Sequence, residues 1–271
     1  MSAPAPDRAP ATAASGISCD ASYFDPIAGA EEDHFWFRAR RKIIATALRS
    51  LLAERPSSPP RVLEIGCGTG NVTRTLIEVC GADAVTAMEP QEEALTIARK
   101  RLACQVVAGD LSAPSALGTF PIVGMFDVLE HLSDERAALD VVRTYVEPGG
   151  VLLLTVPARQ SLWSYFDDVA GHYRRYEVDT LTRALEGSGF RVEYATEFFA
   201  LLFPMMWLGR RVAALRGGTE RNKDRVLGEL RTTPIVNEAL TWLLGREASR
   251  VAARKTRPFG TSIIAVARRP R

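Results

Sequence analysis

Cysteine is scarce and scattered in this chain. The four, Cys19, Cys67, Cys80 and Cys104, form no Cys-x-x-Cys pair, and none of the three histidines stands at ligand spacing from them. Neither a structural zinc site nor a disulfide framework is therefore expected. Long apolar runs are missing too: the most apolar stretch, Phe198 to Leu208, contains Pro204 and stops at Arg210-Arg211, short of the roughly 20 residues that a spanning helix needs. The opening MSAPAPDRAPATAASG holds no apolar run of signal-peptide length, so residues 1–21 are expected to form a disordered tail in a cytoplasmic protein. What remains is ordinary globular composition, 46% hydrophobic and 24% charged over 271 residues, long enough to bury most of its apolar surface without staples. Excess charge of one sign is lacking overall, at +2, but not locally. Residues 205–271 carry 15 Lys and Arg against 5 Asp and Glu, while residues 1–204 carry 19 against 27. A basic block of this kind fits phosphate, an anionic lipid surface or nucleic acid, and equally a solvated helical face.

Between Ser22 and Phe37 the chain is aromatic and acidic with no regular period. Ile43, Ile44, Ala47, Leu48, Leu51 and Leu52 then lay one apolar stripe along a helix that the proline-rich Arg55 to Pro60 segment ends. From Arg61 short apolar runs at 62–65, 85–88, 105–107, 122–126 and 151–156 alternate with helical stretches at about 71–80, 91–102 and 134–146. Strands alternating with helices predict a parallel sheet covered on both faces. Asp179 is read as the N-cap of a further helix, Phe190 to Phe198 as a strand and Ser262 to Ala267 as the last one. Too many residues lie between these two strands for a hairpin loop, so 200–258 is read as a helical insertion. The organisation expected is a tail (1–21), an N-terminal lid and helix (22–60), a core (61–199), the insertion as a cover over the ligand site (200–258), and the last strand (259–271).

Leu63-Glu64-Ile65-Gly66-Cys67-Gly68-Thr69-Gly70 is a strand running into a glycine-rich turn that opens a helix at Asn71. Such a turn lets backbone approach a ligand closely, and amides at a helix start attract anionic groups, so a nucleotide or nucleoside ligand is implied. The third glycine of a dinucleotide fingerprint would fall at position 71, which is Asn, and the Gly-Lys-Ser/Thr ending of a phosphate-binding P-loop is absent. A dehydrogenase is the third-ranked reading, and ATP hydrolysis is disfavoured.

The acidic residue followed by Gly-x-Gly-x-Gly resembles the first motif of the class I S-adenosylmethionine-dependent methyltransferases. Other matches follow in order: Glu89 and Pro90 in MEP, Gly109-Asp110-Leu111, Phe126-Asp127-Val128-Leu129-Glu130-His131-Leu132, and Glu147-Pro148-Gly149-Gly150. The HFWFRARR segment from His34, GHYRRY from Gly171 and PFGTS from Pro258 are similar to a bacterial group of these enzymes with a type 11 or type 23 domain. This resemblance implies an α/β, Rossmann-like, seven-stranded, mostly parallel sheet with helices on both faces. It also implies S-adenosylmethionine as cofactor and S-adenosylhomocysteine as product, and since a sulfonium methyl is already activated no metal is expected. Cofactor contacts would come from Glu64, Gly66, Cys67, Gly68, Gly70, Glu89, Pro90, Asp110, Leu111, Asp127 and Val128. Within that set Glu89 would accept from the ribose diol and Asp110 from the adenine amino group.

For catalysis a base helps when the acceptor is a phenol, alcohol or amine. His172 is the candidate, because GHYRRY follows the fifth strand at the ligand-binding edge of the sheet, and His131 is the alternative. Tyr173, Arg174, Arg175 and Tyr176 are candidates to hold the acceptor, though the two arginines could pair instead with Asp167 and Asp168. Tyr23, Phe24, Phe35, Trp36 and Phe37 are read as a lid, with His34, Trp36, Arg38 and Arg41 lining the acceptor entrance. The apolar 198–208 stretch beside the basic block could line an acceptor pocket, rest peripherally on an anionic membrane, or serve structure only. The favoured function is methyl transfer to oxygen of a small-molecule or lipid-like acceptor, a specialised metabolite among them. N-, C-, carboxylate or peptide methylation and a non-catalytic S-adenosylmethionine-binding protein stay open. Nucleic acid is disfavoured, because DVLEH stands where a base-methylating enzyme carries Asn/Asp-Pro-Pro-Tyr, while the basic C-terminal end keeps a tRNA substrate open.

Overall fold

The computed structural model describes residues 24–54, 61–112, 116–215 and 232–271. The expected tail at 1–21, Tyr23 of the aromatic lid, the helix-ending segment at 55–60 and the middle of the insertion lie outside these residues.

Seven strands form one sheet: β1 (Val62–Ile65), β2 (Val85–Glu89), β3 (Gln105–Ala108), β4 (Phe120–Phe126), β5 (Val146–Pro157), β6 (Arg191–Phe198) and β7 (Ser262–Arg268). Their order is β3-β2-β1-β4-β5-β7-β6, with only β7 antiparallel to its neighbours. The direction of winding reverses between β1 and β4, which opens a crevice beyond their carboxyl ends.

Both faces of the sheet are covered, and the period-2 alternation of each strand assigns side chains to one face or the other. On one face Leu63, Val123, Met125, Leu152 and Leu154 pack with α5 (Glu135–Tyr145) and α7 (Val178–Gly187) through Leu139, Val142, Leu181 and Leu185. On the other, Val62, Ile122, Val151 and Leu153 pack with α2 (Phe35–Ala53) and α3 (Asn71–Cys80) through Ile43, Ile44, Leu48, Val72 and Leu76. Truncating any of these fully buried leucines or isoleucines to Ala would destabilise the fold by roughly 2–5 kcal/mol. Leu63 and Glu64 therefore point to opposite faces, and Glu64 looks toward α2. At the β2–β3 end, α4 (Glu92–Arg101) packs Ala98 against Ala87 and Cys67.

Three local readings change. The aperiodic acidic stretch contains a helix, α1 (Phe24–Asp33), separated from α2 by His34, which accepts the Trp36 amide as N-cap. The cap of α7 is Glu177, whose backbone N–H is held by Thr180, and Asp179 instead lies in the first turn. The helix read at about 134–146 is capped by Asp134, which accepts from the Ala137 amide, and runs over Glu135–Tyr145. Within the insertion the described residues form α8 (Leu202–Leu215), α9 (Pro234–Gly245) and α10 (Ala248–Ala252), after a short α6 (Tyr165–Ala170) earlier in the chain. No helix among the described residues is long and apolar enough to cross a membrane.

Candidate active site

The glycine turn leaves β1 and curls over β2, where the Gly66 and Cys67 amides both donate to the Met88 carbonyl at 2.8 and 3.1 Å. Gly66, Gly68 and Gly70 all hold positive φ, at 71°, 55° and 87°, the region that favours residues without Cβ. They serve different ends. A Cβ on Gly66 would stand 2.5 Å from Val128 and one on Gly70 2.8 Å from Leu102, whereas one on Gly68 would meet nothing within 4 Å. Two glycines thus permit packing, and the middle one borders open space.

Beside that space Glu89, buried at the end of β2, accepts from the Gly68 amide at 2.9 Å through Oε2 and from the Gln91 amide at 3.1 Å through Oε1. Burial raises its pKa and the two backbone donors oppose that rise. Each carboxylate oxygen has a second lone pair, so an oriented acceptor pair stands beside a gap in the side-chain surface. This arrangement fits a ribose diol. Pro90 follows directly and is half-buried. Asp110, after β3, accepts from the amide and hydroxyl of Ser112, and half-buried Leu111 packs on the core. Burial pushes the Cys67 thiol up, which keeps it un-ionised and unsuited to nucleophilic work.

Two further carboxylates face α2. Glu64 is buried, and its pKa is pushed up to about 8, by desolvation first and against the attraction of Arg40. Its Oε2 finds no hydrogen-bond partner among the described residues. Asp127, at the end of β4 with φ 56°, forms an ion pair with Arg40 Nη2 at 2.6 Å, and the same nitrogen donates to the Phe126 carbonyl at 3.0 Å. The Arg40 guanidinium also lies 5.2 Å from the centre of the Trp36 ring.

A third group gathers after β4 and β5. His172 Nδ1 lies 2.9 Å from Asp167 Oδ1. Asp167 has no exposed surface, and it also accepts from Arg175 Nε at 2.6 Å and from the Ser164 amide at 2.8 Å. Burial acts to raise the Asp167 pKa, but the contacts with His172 and Arg175 outweigh it and hold the group at about 2. His131 packs edge-on to His172 with ring centres 4.7 Å apart, and burial lowers its pKa to about 3. Close to both, Glu130 is completely buried, with neither carboxyl oxygen partnered among the described residues.

The candidate acceptor residues divide. Tyr173 is exposed and its amide donates to the Glu130 carbonyl. Arg174 reaches Glu135 and the Ser133 carbonyl, and buried Tyr176 donates to Glu135 at 2.6 Å. Arg175 is the partner of Asp167, so of the two fates open to it the ion pair is the one observed. At the N-terminal segment, His34 is buried at the α1–α2 joint, Trp36 packs toward Phe199, and Arg38 forms a forked pair with Glu238 of α9. Arg41 lies 4.0 Å from Glu32. Helix α1 is fastened beside the glycine turn: Thr69 donates to Glu31, Asn71 to the Glu31 carbonyl, and Arg74 and Arg101 pair with Glu32. Asn237 of α9 closes the joint, accepting the Phe35 amide at 2.7 Å and donating to the Asp33 carbonyl at 2.6 Å.

The residues missed by the sequence reading are Glu130, Arg40, Asp167 as the partner of His172, and Asn237. Arg40 was findable, since it precedes Ile43 and Ile44 by three and four positions on the same buried stripe.

A doubly wound sheet ending in one reversed strand, with a glycine turn and an acidic residue at the next strand end, defines a nucleoside-binding fold of the methyltransferase type. Residues 35–195 match the model of the methyltransferase domain family, and the chain belongs to that family within the class I S-adenosylmethionine-dependent methyltransferases. It is 30% identical over 171 residues to a probable S-adenosylmethionine-dependent methyltransferase of Mycolicibacterium smegmatis, covering 62% of this chain and 63% of that protein. It is 33% identical over 111 residues to trans-aconitate 2-methyltransferase of Rhizobium leguminosarum, covering 40% and 43%. The chain thus spans less than two thirds of the length of these curated relatives. Among solved structures, Haemonchus contortus phosphoethanolamine N-methyltransferase 2 in complex with S-adenosyl-L-methionine shares the fold, with a TM-score of 0.52 at 17% identity over 83% of this chain and 52% of that one.

Proposed function

We propose that this protein binds S-adenosylmethionine in the crevice beyond β1, β2 and β4 and methylates an oxygen of a small-molecule or lipid-like acceptor. The observation that carries the reading is Glu89, fixed by two backbone amides beside the open side of Gly68. When bound, the cofactor supplies a methyl group already activated on a sulfonium sulfur, so the protein's task is positioning, exclusion of water and removal of one proton. Gly68 lets backbone come close, and Glu89 holds the ribose. Glu64 faces the ligand ammonium. Asp167 fixes the His172 tautomer with the proton on Nδ1, which turns the Nε2 lone pair into the acceptor of the substrate hydroxyl's proton. Helix α1 and the α1–α2 joint act as the cover, held by Glu31, Glu32 and Asn237.

Support for a lipid-like acceptor comes from α8 and α9. Met205, Leu208, Ile235 and Trp242 are exposed there, and Arg211 and Arg246 lie over the rings of Trp207 and Trp242 at about 5 Å. Apolar and tryptophan side chains beside arginine suit an anionic membrane surface. Flotation with vesicles containing anionic lipid should carry the protein at low salt, and no flotation would remove peripheral membrane contact from the reading. The central test incubates the protein with labelled S-adenosylmethionine and fractionated cell metabolites. Label should enter an organic-soluble or small-molecule fraction, and the Glu89→Ala variant should abolish this. Binding of S-adenosylhomocysteine without transfer to any fraction would favour the non-catalytic alternative.

A further inference from the structure

Glu130, His131 and His172 each offer one ligand atom within 4.8 Å of the others, and methyl transfer by itself gives no reason for this grouping. Glu130 has no exposed surface and neither of its oxygens has a partner among the described residues. A buried carboxyl in that state is unfavourable unless something else satisfies it. His131 Nδ1 is buried and without a partner among the described residues. The hydrogen bond of that ring goes to the Ala170 backbone, which leaves Nδ1 as its nitrogen available to a ligand. His172 is held from behind: Asp167 takes Nδ1, and Arg175 Nε and the Ser164 amide hold Asp167 in turn. A carboxylate on one imidazole nitrogen fixes the tautomer and strengthens the other nitrogen as a ligand, the usual support behind a metal-bound histidine.

We propose that Glu130, Nδ1 of His131 and Nε2 of His172 bind one divalent first-row transition-metal ion, with Asp167 as the positioning residue for His172. Two imidazoles and one carboxylate suit Mn²⁺, Fe²⁺ or Zn²⁺ better than Mg²⁺ or Ca²⁺, which prefer all-oxygen surroundings. Asp127 does not join the set, because its carboxylate is already paired with Arg40. Bonds of about 2.1 Å place neighbouring ligands roughly 3–3.5 Å apart, so the triad, whose ligand atoms lie within 4.8 Å of one another, tightens on loading. Three protein ligands leave positions for substrate oxygen. The proposal departs from the expectation of a metal-free enzyme, and where it is combined with methyl transfer it rests on that reading. With the ion bound, His172 would serve as a ligand, and the cation would lower the pKa of the acceptor hydroxyl so that its proton passes to solvent water before methyl transfer, in place of transfer to the imidazole.

The test needs no acceptor. Full-length protein is stripped with chelator and titrated with Co²⁺, Mn²⁺ and Zn²⁺, following the Co²⁺ visible spectrum and calorimetric stoichiometry. One ion per chain should bind, with Co²⁺ bands of an imidazole-containing site. Glu130→Gln and His172→Gln should each weaken binding at least about 100-fold, and Asp167→Asn by about 10–100-fold. The absence of stoichiometric binding to the folded wild-type chain at about 100 μM ion would overturn the proposal, as would unchanged affinity in Glu130→Gln or His172→Gln. The Co²⁺ spectrum of the wild-type chain decides the matter even if a variant fails to fold. S-adenosylhomocysteine binding by the same stripped protein tests the methyl-transfer reading separately, so the two can fail independently.

Discussion

Replacement of Glu64 by Gln probes how a buried acid at the end of β1 is linked to ligand binding. Burial holds this carboxyl at about 8 even though Arg40 pulls the other way, a displacement from the ordinary 4.5 that corresponds to about 5 kcal/mol against the charged form. At pH 7 about nine-tenths of the unliganded protein carries the proton. A ligand ammonium placed against the carboxyl reverses the balance and expels it. Calorimetric titration with S-adenosylhomocysteine at pH 7, in phosphate and in Tris, should reveal about 0.9 protons released per ligand bound, falling to about a quarter of a proton at pH 8.5. Glu64→Gln should release none and bind about 10- to 100-fold more weakly, having lost a charge-assisted hydrogen bond worth about 1.5–3 kcal/mol. The same shift acts on stability. Because the folded pKa is raised, the contribution of Glu64 is fully present below about pH 4.5 and is lost as pH rises through about 8. Unliganded Glu64→Gln should therefore lose less Tm than wild type between pH 6 and 9. Equal proton release from wild type and variant would refute the reasoning.

Three other perturbations have defined outcomes. Gly66→Ala forces a Cβ into Val128 at positive φ and should lower stability by about 2–4 kcal/mol in denaturant titration; a loss below 0.5 kcal/mol contradicts the packing described. Arg40→Met strands the Asp127 carboxylate and removes the opposing charge near Glu64, a loss of about 3–5 kcal/mol in unfolding free energy, with wild-type stability as the refuting result. Asn237→Ala opens the α1–α2 joint, so hydrogen exchange at the Phe35 amide should accelerate at least tenfold while β1 and β4 amides stay protected; equal Phe35 protection would show that Asn237 does not hold the joint.

The sheet was readable because strands buried on both faces leave continuous apolar runs, and their alternation with helices dictates crossovers. The glycine turn was readable because its chemistry is local. Helix α1 was not: FDPIAGAEED has no apolar stripe, and Glu31 and Glu32 find their partners at Thr69, Arg74 and Arg101, far along the chain. Glu130 stood inside a motif that drew attention to fold and not to its own burial. Asp167 was considered as a partner for arginine, and that holds for Arg175, but its contact with His172 depends on the six-residue turn of α6, which no period announces. Asn237 could not be foreseen, because a side chain that joins backbone groups some two hundred positions away leaves no trace in its own neighbourhood.

The insertion departs from the sheet and returns to it through a single rung. Phe198, the last residue of β6, pairs with Ser262, the first of β7, and the Thr261 amide donates to the Phe198 carbonyl. Seen this way, residues 199–261 form an oversized hairpin tip whose base is already sealed. Lengthening such a tip is thermodynamically cheap, about 0.6 kcal/mol for each doubling of loop length, and it shifts no strand out of register. That freedom stops at α9 and α10, where Asn237 closes the α1–α2 joint and Leu244, Ala248 and Val251 pack into the core beside α2, so any exchange of the tip has to keep these anchoring side chains.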